Sequence, residues 1–346
     1  MGGSYSAPAP VATSAAFADL CASLPQMSGK TVAVTGCTTG TGLVLARVCA
    51  ERGARVLMLN RASTRAQTAL QELSAIPGAG QVSFVECDLS SFASVRQAAA
   101  TVKQELGDGG LDVLCNNAGV MAMPDAATTD GCCVQMQTNH LSHFLLTAEL
   151  WPLLETAAAA AGEARVVNHS SQPTRPENKP LMAEYLGKNG GNLGGDAAGW
   201  MPFTGPRWQR YQQTKLANIV FTLALRDKLQ PAGGKIKALV AHPGLAATNL
   251  QVTTTTAGGM SDFMAKTFMA STAQSAEDGA MGIIRCCCEP AAAVESGAFY
   301  GPEGMSGPAV PMPEEPLADG AAREMLWTTS MAVTGAHFPF DGAKNA

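Results

Sequence analysis

Two side chains in the stretch RYQQTKLAN, Tyr211 and Lys215, have types and a spacing that suit proton transfer. The segment continues as the apolar run IVFTLAL, so we predict a helix, on which residues four apart share one face. A free phenol has a pKa of about 10, and a nearby ammonium lowers that pKa by favouring the phenolate. The pair is therefore either an acid/base couple or a half-exposed tyrosine beside a solvated lysine.

A glycine-rich turn, VTGCTTGTG, stands between a β-branched run and a helical segment. Gly36 permits the tight turn, Gly40 lets the backbone approach a pyrophosphate, and Gly42 allows close packing of the helix. The spacing is G-x-x-x-G-x-G, and not the commoner G-x-G-x-x-G. In this strand–turn–helix context the motif favours a dinucleotide site over a turn without a ligand.

The second predicted strand ends in LNRAS, where an NAD site usually carries an acidic residue for the ribose 2′-hydroxyl. Asn60 occupies that place and Arg61 follows, and an arginine accommodates a 2′-phosphate. Thr38, in the glycine loop, adds a hydroxyl donor. We therefore predict NADP(H) as cofactor, with NAD(H) less favoured; the alternative for Arg61 is a solvated loop residue.

Secondary-structure elements must hold these residues in position, and the sequence predicts strands that alternate with helices. The predicted strands are KTVAVTG, ARVLMLN, QVSFVECDL, LDVLCNNAG, ARVVNHSS, KIKALVAHPG and a last short one, GAFYG. The helical segments between them include a long helix over residues 130–160 and one that begins at Tyr211 and runs to about Gln230. Strands separated by helices predict β-α-β units and a parallel sheet. The predicted fold class is α/β: a doubly wound, Rossmann-type parallel sheet flanked by helices on both faces, in a single domain.

Composition agrees with a domain of this kind. The 346 residues are 46% hydrophobic and 15% charged, enough for a sizeable core. We predict a flexible leader over residues 1–27, the α/β domain over 28–335 and a C-terminal tail over 336–346. The net charge of −5 gives no sign of nucleic-acid binding, and the apolar runs are shorter than the roughly 18 residues of a membrane span.

The ten cysteines form no C-x-x-C pair and no zinc-site spacing, so we predict reduced thiols and no metal site. For the run Cys286–Cys288 a helix end with buried thiols is favoured over a metal or palmitoyl site. The N-terminus lacks the features of a signal peptide but fits M-G-x-x-x-[ST] through Gly2 and Ser6. The predicted location is cytoplasmic. A plain disordered leader is favoured over myristoylation of Gly2, which would add weak membrane association.

Seven short motifs, in order, resemble those of the classical short-chain dehydrogenase/reductase family over roughly residues 28–335. They are TGCTTGTG, CDLSS, NNAGVM, TNHLSHFLLT, VVNHSS, YQQTKLAN and HPGLAATNL. The combination of NNAGVMAMP, NHLSHFLLT and TKLANIVFT most resembles the retinol-dehydrogenase-like branch. That branch includes the WW-domain oxidoreductase and, more distantly, protochlorophyllide reductase.

The resemblance implies a role for each matching position. Tyr211 would be the general acid in reduction and the base in oxidation, and Lys215 would bind the nicotinamide ribose and lower the pKa of Tyr211. Ser171, preferred over Ser170, would bond the substrate oxygen, and Asn139 would anchor a water of the proton relay. The other cofactor contacts would be Asp88 at the adenine, Asn116, Asn117, Ala118 and Gly119 along the cleft, and Pro243, Gly244 and Thr248 at the nicotinamide.

The chain departs from the family pattern in three places. Ser171 and Tyr211 lie 40 residues apart, and the insert between them, about 172–208, is rich in Gly and Pro. We interpret it as a lid over the substrate; a partner-binding or unstructured loop is the alternative. The stretch TTTTAGGMSDFMAKTFM after Thr248 carries Phe and Met residues that suggest an apolar substrate, and His169, before the serines, is assigned to packing within its strand.

These inferences predict an NADP(H)-dependent oxidoreductase that interconverts an alcohol and a carbonyl on an apolar small molecule. Retinoids, steroids, lipid aldehydes and pigments all fit. The alternative is a catalytically weak nucleotide-binding scaffold that binds a partner through the insert. An epimerase or dehydratase of the extended branch is disfavoured by the glycine spacing, and the oligomeric state stays open between monomer and homodimer.

Overall fold

The predicted β-branched runs form strands of one sheet. The computed structural model describes residues 11–171, 179–188, 190–197, 199, 201, 203–230, 233–261 and 272–341. Its strands are β1 Thr31–Thr35, β2 Arg55–Asn60, β3 Val82–Glu86, β4 Val113–Asn116, β5 Ala164–His169, β6 Ile236–Ala241, β7 Phe299–Gly301 and β8 Val310–Met312. They are ordered β3-β2-β1-β4-β5-β6-β7-β8, all parallel except the last pair. The predicted doubly wound α/β fold is confirmed.

Helices cover both faces of this sheet. They are α1 Ala15–Ser23, α2 Gly40–Glu51, α3 Thr64–Ser74, α4 Phe92–Leu106, α5 Val134–Met136, α6 Ser142–Glu149, α7 Trp151–Ala161, α8 Pro206–Leu229, α9 Asn249–Thr256, α10 Ala276–Cys288 and α11 Gly320–Thr334. Helices α1, α2, α3 and α10 share one apolar core with the sheet, and α4, α6, α7, α8 and α11 share the other. In β1, Val32 and Val34 belong to the first core and Ala33 to the second, so the strand is apolar throughout because both of its faces are buried.

The long helix predicted over residues 130–160 is wrong as a single element. Helix α5 passes into a π-helical turn, Gln137–Leu141, and the chain then bends by 58° between α6 and α7. Leu150 stands at this break, and Pro152 occupies the first turn of α7, where a missing backbone N–H costs nothing. The apolar periodicity continues through the break, which is why the sequence reads as one helix.

Two further boundaries differ from the prediction. Helix α8 begins at Pro206 and not at Tyr211, because Gly205, with a φ of 92°, turns the chain and Pro206 starts the helix. Tyr211 therefore lies in the second turn of α8. The strand predicted at GAFYG is β7, and β8 follows it as an antiparallel edge strand that the sequence analysis missed.

The predicted leader and tail are wrong in the parts that the structure describes. Helix α1 lies within the leader, and its Leu20 is buried in the core formed with α2 and α10. Phe338, in the predicted tail, is 3% exposed and packs edge-on against Trp151 at a ring distance of 5.6 Å. Gly2 and Ser6 lie outside the described residues, so the predicted acylation site stays a prediction.

The cysteine run ends a buried helix, as predicted. Cys286, Cys287 and Cys288 close α10 with exposures of 3% or less, and the Sγ of Cys288 lies 3.7 Å from that of Cys49. Burial raises the pKa of the Cys286 thiol well above its usual value. Among the described residues no set of three or more His, Cys, Asp or Glu side chains is arranged to hold a metal ion.

Among the described residues, no single helix has the length and apolar content to cross a bilayer. One bent pair, Val134–Glu149 with Trp151–Ala161, meets that test by length and composition only.

Candidate active site

A cavity of about 1070 Å³ opens at the carboxyl ends of the strands, where the strand order reverses between β1 and β4. Doubly wound sheets bind their ligands at this switch point. The cavity brings together most of the predicted site residues: Gly36, Thr38, Gly40, Arg61, Asp88, Asn117, Ala118, Gly119, Ser171, Tyr211, Lys215, Pro243, Gly244 and Thr248. Gly42, Asn116 and Asn139 are not part of its lining.

The glycine loop joins β1 to α2 where the backbones are closest. A Cβ on Gly36, whose φ is +68°, would lie 2.7 Å from the Cβ of Ala118, so this position requires glycine. A Cβ on Gly42 would lie 2.3 Å from the Asn117 amide nitrogen, which accounts for the predicted close packing. Thr39, the N-cap of α2, makes no side-chain capping bond within the described structure. The first amides of α2 are therefore available to an anion in the cavity.

Thr35 and Asn117 lock the cleft between β1 and β4. The Thr35 hydroxyl accepts from the backbone amides of Asn117 and Ala118, each at 3.0 Å. The Asn117 side-chain amide donates to the carbonyls of Thr35 and Gly36 at 2.9 and 3.1 Å. Sequence reasoning placed Asn117 here but missed Thr35, since a threonine ending a strand carries no signal of its own.

Two arginines line the cavity at the end where the adenosine of a dinucleotide is predicted to lie. Arg61 and Arg65 are both exposed, and both line its wall after β2. Asn60 does not take the place of the missing acid, because its Oδ1 accepts from the Cys37 amide at 2.8 Å and holds the glycine loop. Asp88 accepts from the Ser90 amide and hydroxyl at 2.9 and 2.7 Å, so its carboxylate also shapes its own turn. Arg65, in the first turn of α3, was missed from the sequence.

Tyr211 and Lys215 meet in the centre of the cavity. The Lys215 Nζ lies 5.8 Å from the centre of the Tyr211 ring and donates to the His169 carbonyl at 3.0 Å. Burial raises the pKa of Tyr211 to about 12, and its hydrogen bond with Ser171 lowers that pKa in part. Burial also lowers the pKa of Lys215 to about 8. The expected net depression of the tyrosine pKa is therefore wrong for this geometry, because desolvation of the phenol dominates.

The two serines that follow β5 have different surroundings. Ser170 is buried, and its hydroxyl donates to the Lys215 carbonyl at 2.7 Å, which fixes β5 to α8. Ser171 lines the cavity and is hydrogen-bonded to Tyr211. This contrast supports the choice of Ser171 over Ser170 as the residue that faces a substrate.

Asn139 and Asn116 lie behind the cavity wall. Asn139 is in the π-helical turn, and its amide bonds the Val120 backbone in both directions, at 2.7 and 2.9 Å, and the Thr214 hydroxyl at 2.9 Å. Asn116 donates to Thr147 and to Asn168 at 3.1 and 3.0 Å, so the prediction that it lines the cleft is wrong. Both side chains hold the wall in place from the core side.

His169 does more than pack within its strand. Since the Asn117 amide nitrogen is already donating, its Oδ1 must accept from Nδ1 of His169, 2.8 Å away. Burial lowers the pKa of His169 to about 3, so the ring is neutral and Nε2 carries the lone pair. Nε2 is buried without a hydrogen-bond partner in the described part of the chain, and His169 is among the residues that line the cavity.

The opposite end of the cavity is apolar. Met121, Trp208, Tyr211 and Met260 form a small cluster there, joined by the partly buried Phe203 and Leu250. The Trp208 ring stands edge-on to both Phe203 and Tyr211, at 4.9 and 5.9 Å. Phe203 and Trp208 come from the predicted insert and Leu250 and Met260 from the stretch after Thr248, so both variable segments border this end. Thr248 itself donates to the Gln251 side chain at 3.0 Å as the N-cap of α9.

Comparisons with known proteins bear on this site. A family model described as short chain dehydrogenase matches residues 30–186. Retinol dehydrogenase 13 of Homo sapiens is 34% identical over 230 residues, which are 66% of this chain and 63% of that protein. The chain spans slightly less than two thirds of the length of the curated relatives that it matches first.

Two solved structures extend the comparison. An uncharacterized protein from Mycobacterium paratuberculosis is 34% identical with a TM-score of 0.68, and the match covers 92% of this chain and 98% of that one. The Pseudomonas aeruginosa RhlG/NADP active-site complex is 25% identical with a TM-score of 0.59, over 79% of this chain and 94% of that one.

Proposed function

The chain belongs to the short-chain dehydrogenase/reductase family, in its retinol-dehydrogenase-like branch, and from that premise we propose an NADP(H)-dependent oxidoreductase. Its reaction interconverts an alcohol and a carbonyl on an apolar small molecule. The observation that carries the proposal is the meeting of Tyr211, Lys215 and Ser171 in the same cavity as the glycine loop. Membrane association stays a prediction, and the oligomeric state stays open between monomer and homodimer.

The cavity suits a phosphorylated dinucleotide. Its volume of about 1070 Å³ matches the upper range of small-molecule sites, and the α2 N-terminus supplies amides for a pyrophosphate. Arg61 and Arg65 would hold a 2′-phosphate, and Lys215 would hold the nicotinamide ribose. NADP in the RhlG complex agrees with this preference. A bound nicotinamide supplies hydride exchange with the substrate carbon.

Tyr211 would carry the proton. A pKa of about 12 keeps the phenol protonated at neutral pH, so Tyr211 can donate to a carbonyl oxygen as the carbon is reduced. Ser171, bonded to the same phenol, would donate to that oxygen and stabilise the charge developing on it. In the oxidation direction the Tyr211 phenol would first release its own proton, and the resulting phenolate would accept the proton of the alcohol.

The substrate end favours an apolar molecule. Met121, Met260 and Trp208 offer carbon surface close to the Tyr211 ring, and burial of such surface contributes about 25 cal/mol per Å². The class that fits is an aldehyde, ketone or alcohol with an apolar body, such as a retinoid, steroid or lipid aldehyde.

A coupled assay tests the proposal. Purified protein is mixed with NADPH or NADH and a panel of apolar aldehydes and ketones, and the cofactor absorbance is followed. Tyr211→Phe is the matched control, because it keeps the ring and removes the proton donor. We expect NADPH oxidation by the wild type and not by the variant. NADPH binding without turnover of any panel member would favour the scaffold alternative instead.

A further inference from the structure

The insert is fastened to the catalytic helix by a buried arginine next to Tyr211. Arg210 is fully buried, and its guanidinium donates to the carbonyls of Leu193 and Gly195 in the insert at 3.0 and 2.8 Å. It also donates to the Met123 carbonyl at 3.3 Å, and Met123 lines the cavity. One cation therefore ties the insert and the loop after β4 to α8.

Two carboxylates balance this charge. Asp125, whose side chain is 6% exposed, lies 3.5 Å from Arg210 and accepts from the Leu193 and Gly195 amides at 2.8 Å each. Asp196, in the insert, accepts from Arg210 at 3.1 Å and from the Asp125 amide at 2.8 Å. The insert segment is thus bonded through both its amides and its carbonyls, a pattern that specifies one conformation.

A second arginine extends the link to the segment after Thr248. Arg207 pairs with Asp196 at 3.2 Å and donates to the Ala257 carbonyl at 2.5 Å. The neighbouring Trp208 donates to the Gly259 carbonyl at 3.1 Å. Arg207 and Arg210 are three residues apart on α8, so they share a face, and Trp208 and Tyr211 share the next one. The face that fastens the two variable segments is adjacent to the face that carries the chemistry.

We propose that Arg207, Arg210, Asp125 and Asp196 form a positioning clamp that holds the apolar substrate wall against Tyr211. The effect of the clamp on substrate kinetics rests on the proposed function. The clamp touches neither the adenosine end nor the glycine loop, so it sets substrate selection and not cofactor affinity. With the wall held, long apolar substrates are enclosed better than short ones, and loosening the clamp reduces that difference.

Asp196→Asn is the primary variant, because its carboxylate is 40% exposed and the protein should fold without it. Glu184→Gln, an exposed acid elsewhere in the insert, is the matched control. For a long and a short apolar aldehyde, we expect Asp196→Asn to raise KM for the long one by about fivefold, with kcat little changed. NADPH affinity should equal that of the wild type. The clamp is contradicted if the ratio of kcat/KM between the two aldehydes is the same as in the wild type. It is also contradicted if NADPH affinity falls by as much as KM for the long aldehyde rises.

Limited trypsin proteolysis supplies a readout that needs no activity. Lys188 is an exposed cleavage site within the insert. We expect cleavage there to accelerate in Asp196→Asn and in Arg210→Lys, the latter checked for folding by circular dichroism, and not in Glu184→Gln. Unchanged cleavage in both clamp variants contradicts the proposal. If cleavage is faster in the variants but the protein turns over no substrate, the clamp is supported and the proposed enzymatic function is rejected.

Discussion

Burial acts in opposite directions on the two titratable groups at the centre of the site. It disfavours the charged form of each, so the pKa of Tyr211 rises to about 12 and that of Lys215 falls to about 8. At neutral pH the phenol is therefore protonated and the amine still mostly charged. This state suits carbonyl reduction, in which the tyrosine gives up a proton.

Tyr211→Phe removes one oxygen atom and so tests whether the phenol is the proton donor. The phenyl ring retains its edge-on contact with Trp208, so stability and NADPH binding should be unchanged. The rate of carbonyl reduction should fall by about 10²-fold to 10⁴-fold, the usual contribution of a positioned acid. The measurement is kcat with saturating NADPH, with a fluorescence titration of NADPH on both proteins. Near-full activity in the variant would reduce Tyr211 to a packing residue.

Lys215 gives the site a pH dependence of its own. Its amine is charged below a pKa of about 8 and neutral above it, so its attraction for an anionic cofactor is lost as the pH rises through 8. We expect NADPH affinity to fall between pH 7 and pH 9 in the wild type. In Lys215→Met the affinity should be lower at pH 7, and the fall attributable to this amine should be absent. Parallel titration curves for the two proteins would show that another group is responsible.

At the scale of secondary-structure elements, local sequence patterns predicted most of the strands and helices. Runs of β-branched residues bounded by glycine predicted β1 to β7. The four-residue spacing of Tyr211 and Lys215 predicted that they share a face of α8. The predictions that were wrong concerned features that depend on contacts between residues distant in sequence. The core role of Asn116 depends on Asn168, and the anchoring of the insert depends on Arg210, which reads locally as a solvated cation. The bend before α7 has a local cause in Pro152, but the apolar periodicity continues across it.

The turn from β2 into α3 would set the proposed preference for NADPH over NADH. Arg61, before α3, and Arg65, in the first turn of α3, line the same wall of the cavity, so each would meet a 2′-phosphate. Arg61→Ala and Arg65→Ala should each weaken NADPH binding by about tenfold, since a charge-assisted bond contributes about 1.5 kcal/mol. NADH binding, which lacks that phosphate, is the internal control and should be unchanged. Arg61→Asp should favour NADH further, because the carboxylate repels the phosphate. A wild type that binds NADH as tightly as NADPH would make this assignment wrong.

At the scale of the whole molecule, described segments near both ends of the chain are part of the cores. Helix α1 packs with α10 on one face of the sheet, and Phe338 joins Phe144, Trp151 and Trp327 on the other. Sequence reasoning placed both ends outside the domain because neither segment carries a family motif. Their burial depends on surfaces that are complete only after the sheet and its helices have assembled.

Four of the five histidines are also buried in this assembly, and we expect them to make the fold sensitive to acid. Burial lowers the pKa of His140 and His169 to about 3 and that of His143 and His242 to about 4. The unfolded chain binds these protons near pH 6.5, so stability is complete above that pH and is lost as the pH falls towards 4. At pH 5 each histidine should cost about 2 kcal/mol.

Urea unfolding at pH 7.5, 6.5 and 5.5 measures this loss. We expect the free energy of unfolding to fall steeply below pH 6.5, with a slope of several protons at about 1.4 kcal/mol per proton and pH unit. His140→Leu removes one titrating ring that packs against Phe144 and Phe221, so its slope should be smaller by about one proton even if its stability at pH 7.5 is lower. A free energy of unfolding that does not change between pH 7.5 and 5.5 would mean that these histidines are protonated in the folded protein, and the neutral ring assigned to His169 in the cofactor cavity would be wrong with them.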